Sequence, residues 1–356
     1  MKNKKEKIII TGGAGFIGGT LIRQLLKQKK FMVFNFDQLG YASDLSWTKD
    51  SKYDQSLHNF LKIDLRNKEI LEKTVEEISP AMIINLAAES HVDRSIDDPS
   101  NFIESNIVGT FNLLEAARSY WGKLNETKKS SFKFIHISTD EVFGSLGSKG
   151  KFDESTKYAP TSPYSASKAS SDHLVKSWHN TYGLPTIISN CSNNYGPYQF
   201  PEKLIPLCII KAIKGEEIPL YGDGLNVRDW LHVEDHVEAL LLISQIGKSG
   251  ENYCIGGFGE KTNKEVQFKI CSILDEFAPK DFPHSSLITK VKDRPGHDKR
   301  YAINSNKIKE ELGWEPQIKF EDGLKQTVLW YLNHSEWWKS IMRHSGYSGE
   351  RFGNKN

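Results

Sequence analysis

The run IIITGGAGFIGG, residues 8–19, constrains the fold more than any other stretch of the chain. An apolar, strand-like segment ends in a glycine-rich turn, and the turn opens directly onto FIGGTLIRQLLKQ, whose apolar residues recur at helical spacing. Gly12, Gly15 and Gly18 are spaced GxxGxxG, with Phe16 and Ile17 inside the same turn. Glycine lets a backbone turn tightly and approach a pyrophosphate, whose charge then meets the free N–H groups of a helix N-terminus. About 20 residues further on, Asp37 closes the next strand-like run, where a carboxylate can accept hydrogen bonds from both hydroxyls of an adenosine ribose. A carboxylate there repels a 2′-phosphate, so the pattern predicts NAD rather than NADP. Asp64, closing a third strand in KIDL, is placed to reach the adenine, although a plain turn residue would look the same.

The alternation continues. FMVFNFD, FLKIDL, AMIINLAA, FKFIHIST and PTIISN read as strands, separated by helical patterns that include a long one from about Asn101 to Tyr120 and another near Ser165 to Tyr182. Apolar strands alternating with amphipathic helices predict βαβ units and a parallel sheet covered on both faces. The expected fold is therefore α/β, a Rossmann-like doubly wound parallel sheet over residues 1–190. A smaller C-terminal α/β lobe, residues 191–356, is expected to bind substrate and to interleave with the first. NNYGPYQFPEK reads as an ordered loop, and WTKDSKYDQSLHNF as a polar, variable one. No Gly/Ser-rich spacer separates the halves, which places a cleft between lobes in close contact.

Charge excludes several alternatives. With 47 basic and 45 acidic residues the net charge is only +2, so nothing points to nucleic acid, and no apolar run reaches the roughly 20 residues of a membrane-spanning helix. The basic start, MKNKKEK, lacks the apolar core of a signal peptide and reads as a solvated tail. Cys191, Cys208, Cys254 and Cys271 lie far apart without metal-like spacing, which suits buried thiols in a cytoplasmic protein with no metal. His232 and His236 read as packing and capping residues for the same reason.

YSASK places Tyr164 and Lys168 four residues apart, on one helix face. A phenol titrates near pH 10, and an ammonium one turn away favours its phenolate, which can take a proton from a sugar hydroxyl during oxidation of the adjacent carbon. Ser138 and Thr139 close the preceding strand and supply the usual hydroxyl. Asp140 and Glu141 follow at once. A dehydrogenase needs neither, whereas elimination of water needs a base for one carbon and an acid for the departing hydroxyl, and two neighbouring carboxyls in a cleft have pKa values that are pushed apart. On the tripeptide alone, capping of a turn explains the pair equally well.

TGGAGFIGG with YSASK resembles the extended short-chain dehydrogenase/reductase superfamily over roughly the first 190 residues, which leaves epimerases, decarboxylases, reductases and dehydratases open. STDEVFG, AAESHVDRSI, NCSNNYGPYQFPEKLIP, RDWLHVEDH and DRPGHDKRYAI each resemble segments of the dTDP-glucose 4,6-dehydratase family, in order and over nearly the whole chain. The resemblance implies a lyase in which Asp140 protonates the C6 leaving group, Glu141 removes the C5 proton, Thr139 hydrogen-bonds the sugar, Tyr164 is the C4 base and Lys168 its modulator. It implies NAD contacts from Gly12, Gly15, Phe16, Ile17, Gly18, Asp37, Asp64, Leu65, Ala87, Ala88, Ser105, Tyr164, Lys168 and Asn194. Substrate contacts are implied for Ser90, Thr139, Asn193, Lys203, Leu204, Pro219, Tyr221, Arg228, Asn263, Asp293, Arg294 and His297. For Arg228 and Arg294 a structural salt bridge between the lobes is the alternative, and His91 and Asp93 are expected to position groups near the nicotinamide. UDP-glucose or another nucleotide hexose remains possible as substrate, and the resemblance also implies a homodimer built through the Tyr–Lys helix.

Two departures stand out. QLGYASDL after Asp37 has Gly40 where the family has a hydroxyl that contacts the cofactor, and Phe143 stands where tyrosine is common. The C-terminal SEWWKSIMRHSGYSGERFGNKN carries no chemistry, and packing of Trp337 and Trp338 on the second lobe is expected.

Overall fold

The structure, a computed structural model, describes residues 5–350. Six strands come from the first half: β1 (Glu6–Thr11), β2 (Phe31–Asp37), β3 (His58–Lys62), β4 (Met82–Asn85), β5 (Lys133–Thr139) and β6 (Thr186–Cys191). The second half adds β7 (Asn193–Tyr195), β8 (Ile218–Tyr221), β9 (Val227–His232), β10 (Asn252–Ile255), β11 (Glu260–Thr262) and β12 (Ile288–Val291). The main sheet has seven parallel strands in the order β10-β6-β5-β4-β1-β2-β3. Strand order reverses between β1 and β4, and doubly wound sheets bind ligands at such a switch. The pleat explains why β1 is apolar throughout. Ile8 and Ile10 pack in one layer with Leu21 and Leu25, while Ile9 packs in the opposite layer with Leu113 and Phe134.

The second lobe holds two small sheets, β11-β9-β7 and β12-β8, around a separate core that includes Tyr195, Ile209, Ile270, Leu324 and Trp338. The expected boundary at residue 190 does not divide the sheets, because β10 pairs with β6 at the edge of the main sheet.

Other expectations need correction. Of the supposed tail, Glu6 and Lys7 open β1, while residues 1–4 fall outside the described range. The loop NNYGPYQFPEK contains β7, paired with β9. The polar stretch after Ser46 is anchored rather than free: Trp47 and Tyr53 are buried edge to face at 5.9 Å, and His58–Lys62 is β3. That strand stops two residues short of Asp64. The long helix expected from Asn101 to Tyr120 is interrupted by a π-helical segment, Ile103–Val108, before it resumes as Gly109–Gly122. In the C-terminal helix Ser335–Ser345, Trp338 is buried in the second-lobe core and Trp337 packs against that core as expected, while its indole N–H also donates to Asp44 at 2.8 Å.

Candidate active site

The first-half end of the site is built by the glycine turn. Gly12 has φ 70°, and a Cβ on it would meet the Ala87 backbone nitrogen at 2.7 Å; a Cβ on Gly18 would strike the Gly12 carbonyl oxygen at 2.3 Å. Strand, turn and helix can approach this closely only with glycine at both positions. Gly15 is the N-cap of the helix Phe16–Gln28 and offers no side-chain cap, so first-turn N–H groups are left to whatever lies in the cleft. Gly12, Gly15, Phe16, Ile17 and Gly18 all line that cleft, a cavity of about 330 Å³. These bare amides and the absent Cβ atoms suit a pyrophosphate, and the residues fit NAD.

Asp37 lines the same cleft, and burial pushes its carboxyl up while three hydrogen bonds oppose this. Oδ1 accepts from the Leu39 N–H at 2.8 Å and the Ser43 hydroxyl at 3.1 Å; Oδ2 accepts from the Ala14 N–H at 3.0 Å. Three of about four lone-pair positions are taken, one of them by the rotatable Ser43 hydroxyl. Ser43, three residues past Gly40, puts a hydroxyl back on this carboxylate. Asp64 lines the cleft too, but its carboxylate is clamped by Arg66 at 2.6 Å, a cleft residue the sequence reading missed. Leu65, Ala87, Ala88, Ser90, Ser105, Asn193, Asn194 and Lys203 complete this wall among the expected residues. Lys203 donates to the Ser90 carbonyl at 2.8 Å, and Asn194 Oδ1 faces His236 Nδ1 at 2.9 Å.

The reacting groups gather where β5 ends. Thr139 caps the short helical turn Asp140–Phe143, its Oγ1 accepting from the Glu141 N–H at 3.3 Å and donating to Asp140 Oδ1 at 3.3 Å. Thr139, Glu141, Tyr164 and Lys168 line the cleft. Asp140 does not; it lies sealed beneath, 1% exposed, and its Oδ2 has no hydrogen-bond partner. Burial, then Glu141 and Asp229, push the Asp140 carboxyl well above the usual range. Burial raises Glu141 as well, but Arg294, Arg228 and Lys203 pull it back. The sequence therefore places two adjacent acids in unlike fields.

Tyr164 departs from expectation. Burial, followed by the charge of Glu141, pushes its phenol well above the ordinary value, with the hydrogen bond to Thr139 opposing. Lys168 is no direct partner of the phenol: its Nζ donates to the Ile137 carbonyl at 2.8 Å and sits 3.4 Å from His136 Nε2. Behind it lies a buried network absent from the sequence reading. His136 Nε2 is 3.4 Å from Asp172 Oδ1, while Asp172 Oδ2 accepts from Ser138 and Tyr158, each at 2.8 Å, and from Asn190 at 3.2 Å. Asp172 is four residues beyond Lys168, the very spacing that linked Lys168 to Tyr164, so a signal was there.

The remaining expected substrate residues stand outside the cleft wall. Arg294 donates to Asp93 Oδ1 at 2.7 Å, the inter-lobe salt bridge named as its alternative. Arg228 donates to the carbonyls of Val227 and Asp298 and covers the Tyr301 ring at 4.2 Å. His297 Nδ1 lies 2.6 Å from Asp293 Oδ1 and its ring meets Tyr221 edge-on at 6.5 Å. Leu204 opens the helix Leu204–Lys214, Asn263 opens Asn263–Phe277 with its Oδ1 buried and unpartnered, and Pro219 lies in β8 with its carbonyl bound by Gln267. His91 and Asp93 do not line the cleft. His91 caps the helix Val92–Asp97 beside Glu202, at 4.0 Å, and Asp93 holds Arg294, so both brace the lobes. His232 caps the helix Val233–Ile246. Phe143 stacks on Phe152 at 5.2 Å. All four cysteines are free and buried, and no group of three metal-binding side chains occurs among the described residues.

Comparison with known proteins agrees with this arrangement. Residues 9–327 match the family model described as GDP-mannose 4,6 dehydratase. A dTDP-glucose 4,6-dehydratase of Salmonella typhimurium is 52% identical over 344 residues, covering 94% of this chain and 95% of the relative. Among solved structures, a dTDP-glucose 4,6-dehydratase from Bacillus anthracis in complex with NAD superposes with a TM-score of 0.83 at 44% identity, covering 94% of this chain and 99% of that one. The corresponding Streptomyces venezuelae enzyme, also with NAD bound, gives 0.84 at 41% identity over the same shares. A parallel sheet with a glycine turn, a Tyr–Lys helix and a Thr-Asp-Glu strand end, matched over nearly its full length by these proteins, means that the chain belongs to the dTDP-glucose 4,6-dehydratase family.

Proposed function

We propose that the protein is an NAD-dependent hydro-lyase that converts dTDP-glucose to dTDP-4-dehydro-6-deoxy-D-glucose by oxidation at C4, loss of water across C5–C6 and reduction at C6. The observation that carries this reading is the meeting of Thr139, Glu141, Tyr164 and Lys168 at one end of the cleft, with Asp140 hydrogen-bonded to Thr139 directly behind that wall. Bound between the glycine turn, Asp37 and Tyr164, NAD would supply the electron acceptor at C4 and the donor at C6, together with a positive charge near the phenol. Tyr164 takes the C4 hydroxyl proton, and the buried Lys168 ammonium favours the phenolate by charge. Oxidation at C4 acidifies the C5 proton, which Glu141 removes. Its pKa, raised by burial and moderated by two arginines and a lysine, suits a base that must also return a proton to C5. Asp140, whose carboxyl burial and then Glu141 and Asp229 push well above the usual range, hands its proton to the departing C6 hydroxyl.

Lys203, Arg228 and Arg294 are the cations available to the diphosphate, and each feels the charge of Glu141, which ties substrate charge to the base. Phe111 and Tyr182, both partly exposed, flank Trp178 on neighbouring helices and form the apolar face through which a homodimer would assemble, giving a doubled mass in light scattering. Free buried thiols and use of NAD favour a cytoplasmic location.

The assay is direct. Purified protein with NAD is incubated with dTDP-glucose or UDP-glucose, and the 4-keto-6-deoxy product is followed by NMR. Turnover with dTDP-glucose is expected, and turnover only with UDP-glucose would reassign the substrate. Glu141→Gln is expected to lower the rate by about 10²–10⁴-fold, and unchanged product formation in that variant would remove the C5-base role.

A further inference from the structure

We infer that the Thr139 hydroxyl is a proton relay that returns to Asp140, once per turnover, the proton Tyr164 has taken from the substrate. The inference rests on the dehydratase reading and follows from its proton balance. Glu141 removes a proton from C5 and gives one back, so it ends as it began. Tyr164 gains a proton from the C4 hydroxyl, and Asp140 loses one to the water that leaves C6. Each cycle therefore ends with a neutral phenol and a carboxylate, whereas the next must begin with a phenolate and a carboxylic acid. One proton has to cross from Tyr164 to Asp140, and the total charge of the pair is the same before and after.

Solvent gives poor access to either end, since Tyr164 is 8% exposed and Asp140 only 1%. Thr139 lies between them, and its hydrogen-bonding capacity is fully assigned. A hydroxyl has one proton and two lone pairs. The proton points to Asp140 Oδ1 at 3.3 Å and one lone pair accepts the Glu141 N–H at 3.3 Å, which leaves the second lone pair for the Tyr164 phenol on the same cleft wall, a group whose titration Thr139 already influences. In the relay the Tyr164 O–H bond breaks as a new Thr139 O–H bond forms, while the old Thr139 O–H bond breaks as an O–H bond forms on Asp140. Phenolate and carboxylic acid result, and nothing is oxidised or reduced. Neighbouring groups do not offer the same path. Cys191 directs its thiol to the Ser138 carbonyl, the Asp229 carboxylate is bound by the N–H groups of Gly259 and Ile303, and Lys168 is engaged with Ile137.

The test compares the parent with Thr139→Val, which keeps the shape but lacks the hydroxyl, and Thr139→Ser, which keeps the hydroxyl, by rapid-quench measurement of product per active site. Thr139→Ala replaces the valine variant should the latter fail to fold by circular dichroism. The relay predicts a burst of about one product per site in the hydroxyl-free variant, followed by later turnovers roughly 10²-fold slower than in the parent. Small buffer acids should speed the slow phase, and Thr139→Ser should restore continuous turnover. First and later turnovers slowed equally, with no burst, would overturn the relay and leave Thr139 only orienting the sugar. Absence of product from the parent itself would instead remove the dehydratase reading on which the relay depends.

Discussion

Asp140 and Glu141 are covalent neighbours, yet only one of them has cations among its larger influences from three separate segments: Lys203, Arg228 and Arg294. Asp140 faces inward, where burial and two carboxylates dominate and Arg228 opposes them. Such a group carries a stability cost that depends on pH. Its folded pKa lies above its unfolded value, so the stability associated with its protonated form is fully present at pH values below the ordinary carboxylate range and is lost as pH rises through the folded pKa. Asparagine copies the protonated shape and cannot ionise. Asp140→Asn is therefore expected to melt close to the parent at acid pH and progressively above it as pH rises, by roughly 1–2 °C for each kcal/mol recovered. In the proposed mechanism the same substitution removes the proton donor to C6, so turnover is expected to fall about 10²–10⁴-fold. Thermal melts across pH, set beside steady-state rates, check both halves. A melting difference independent of pH would mean that ionisation of Asp140 is not what the fold resists.

The turn after β1 shows how a whole element can depend on one missing methyl group. Alanine at Gly18 would place its Cβ 2.3 Å from the Gly12 carbonyl oxygen and 2.9 Å from Gly13 Cα, both backbone atoms with little freedom to move, whereas alanine at Gly15 meets only the Gly12 oxygen at 3.2 Å. Gly18→Ala is expected to destabilise the NAD-free protein by about 1–3 kcal/mol, and Gly15→Ala by much less. Denaturant unfolding of both proteins reads the difference, and equal losses would contradict the steric account. This element was legible in the sequence because its glycine spacing is local. So were the strands of the main sheet and the helix Pro163–Tyr182, whose periods are also local. What stayed hidden depends on distant pairing. β10 reads as a second-lobe strand until it is seen beside β6, sixty residues away in sequence. The π-helical segment has no distinct period, and its reason lies elsewhere: Asn106 binds both the N–H and the C=O of Glu89 as well as Ser167. Asp64 and Asp37 both line the cleft, but Arg66 and Ser43, which occupy their carboxylates, have no sequence pattern of their own.

Across the whole molecule, the cleft is closed by ties between lobes. Arg94 binds Glu202 at 3.0 Å and covers the Tyr41 ring at 3.9 Å, while Tyr41 donates to the same Glu202 at 2.7 Å, joining the loop after β2 to the segment that carries Lys203. Trp337 ties the C-terminal helix to Asp44 in that loop. From the same helix, one residue before Arg94, Asp93 makes a further tie to Arg294, a partly buried pair at 2.7 Å. Arg294 is also among the cations that act on Glu141, so Asp93 fixes in advance a side chain that would otherwise lose rotamer freedom when the diphosphate binds. Asp93→Ala removes that restraint without touching the glycine turn or Asp37. The expected outcome is an increase in KM for dTDP-glucose of about tenfold, equivalent to ~1.4 kcal/mol, with NAD affinity unchanged and kcat little altered. Calorimetric titration with NAD beside steady-state kinetics separates the cases. A parallel loss of NAD affinity would show that the pair holds the lobes together as a whole, and an unchanged KM would show that Arg294 is positioned without it.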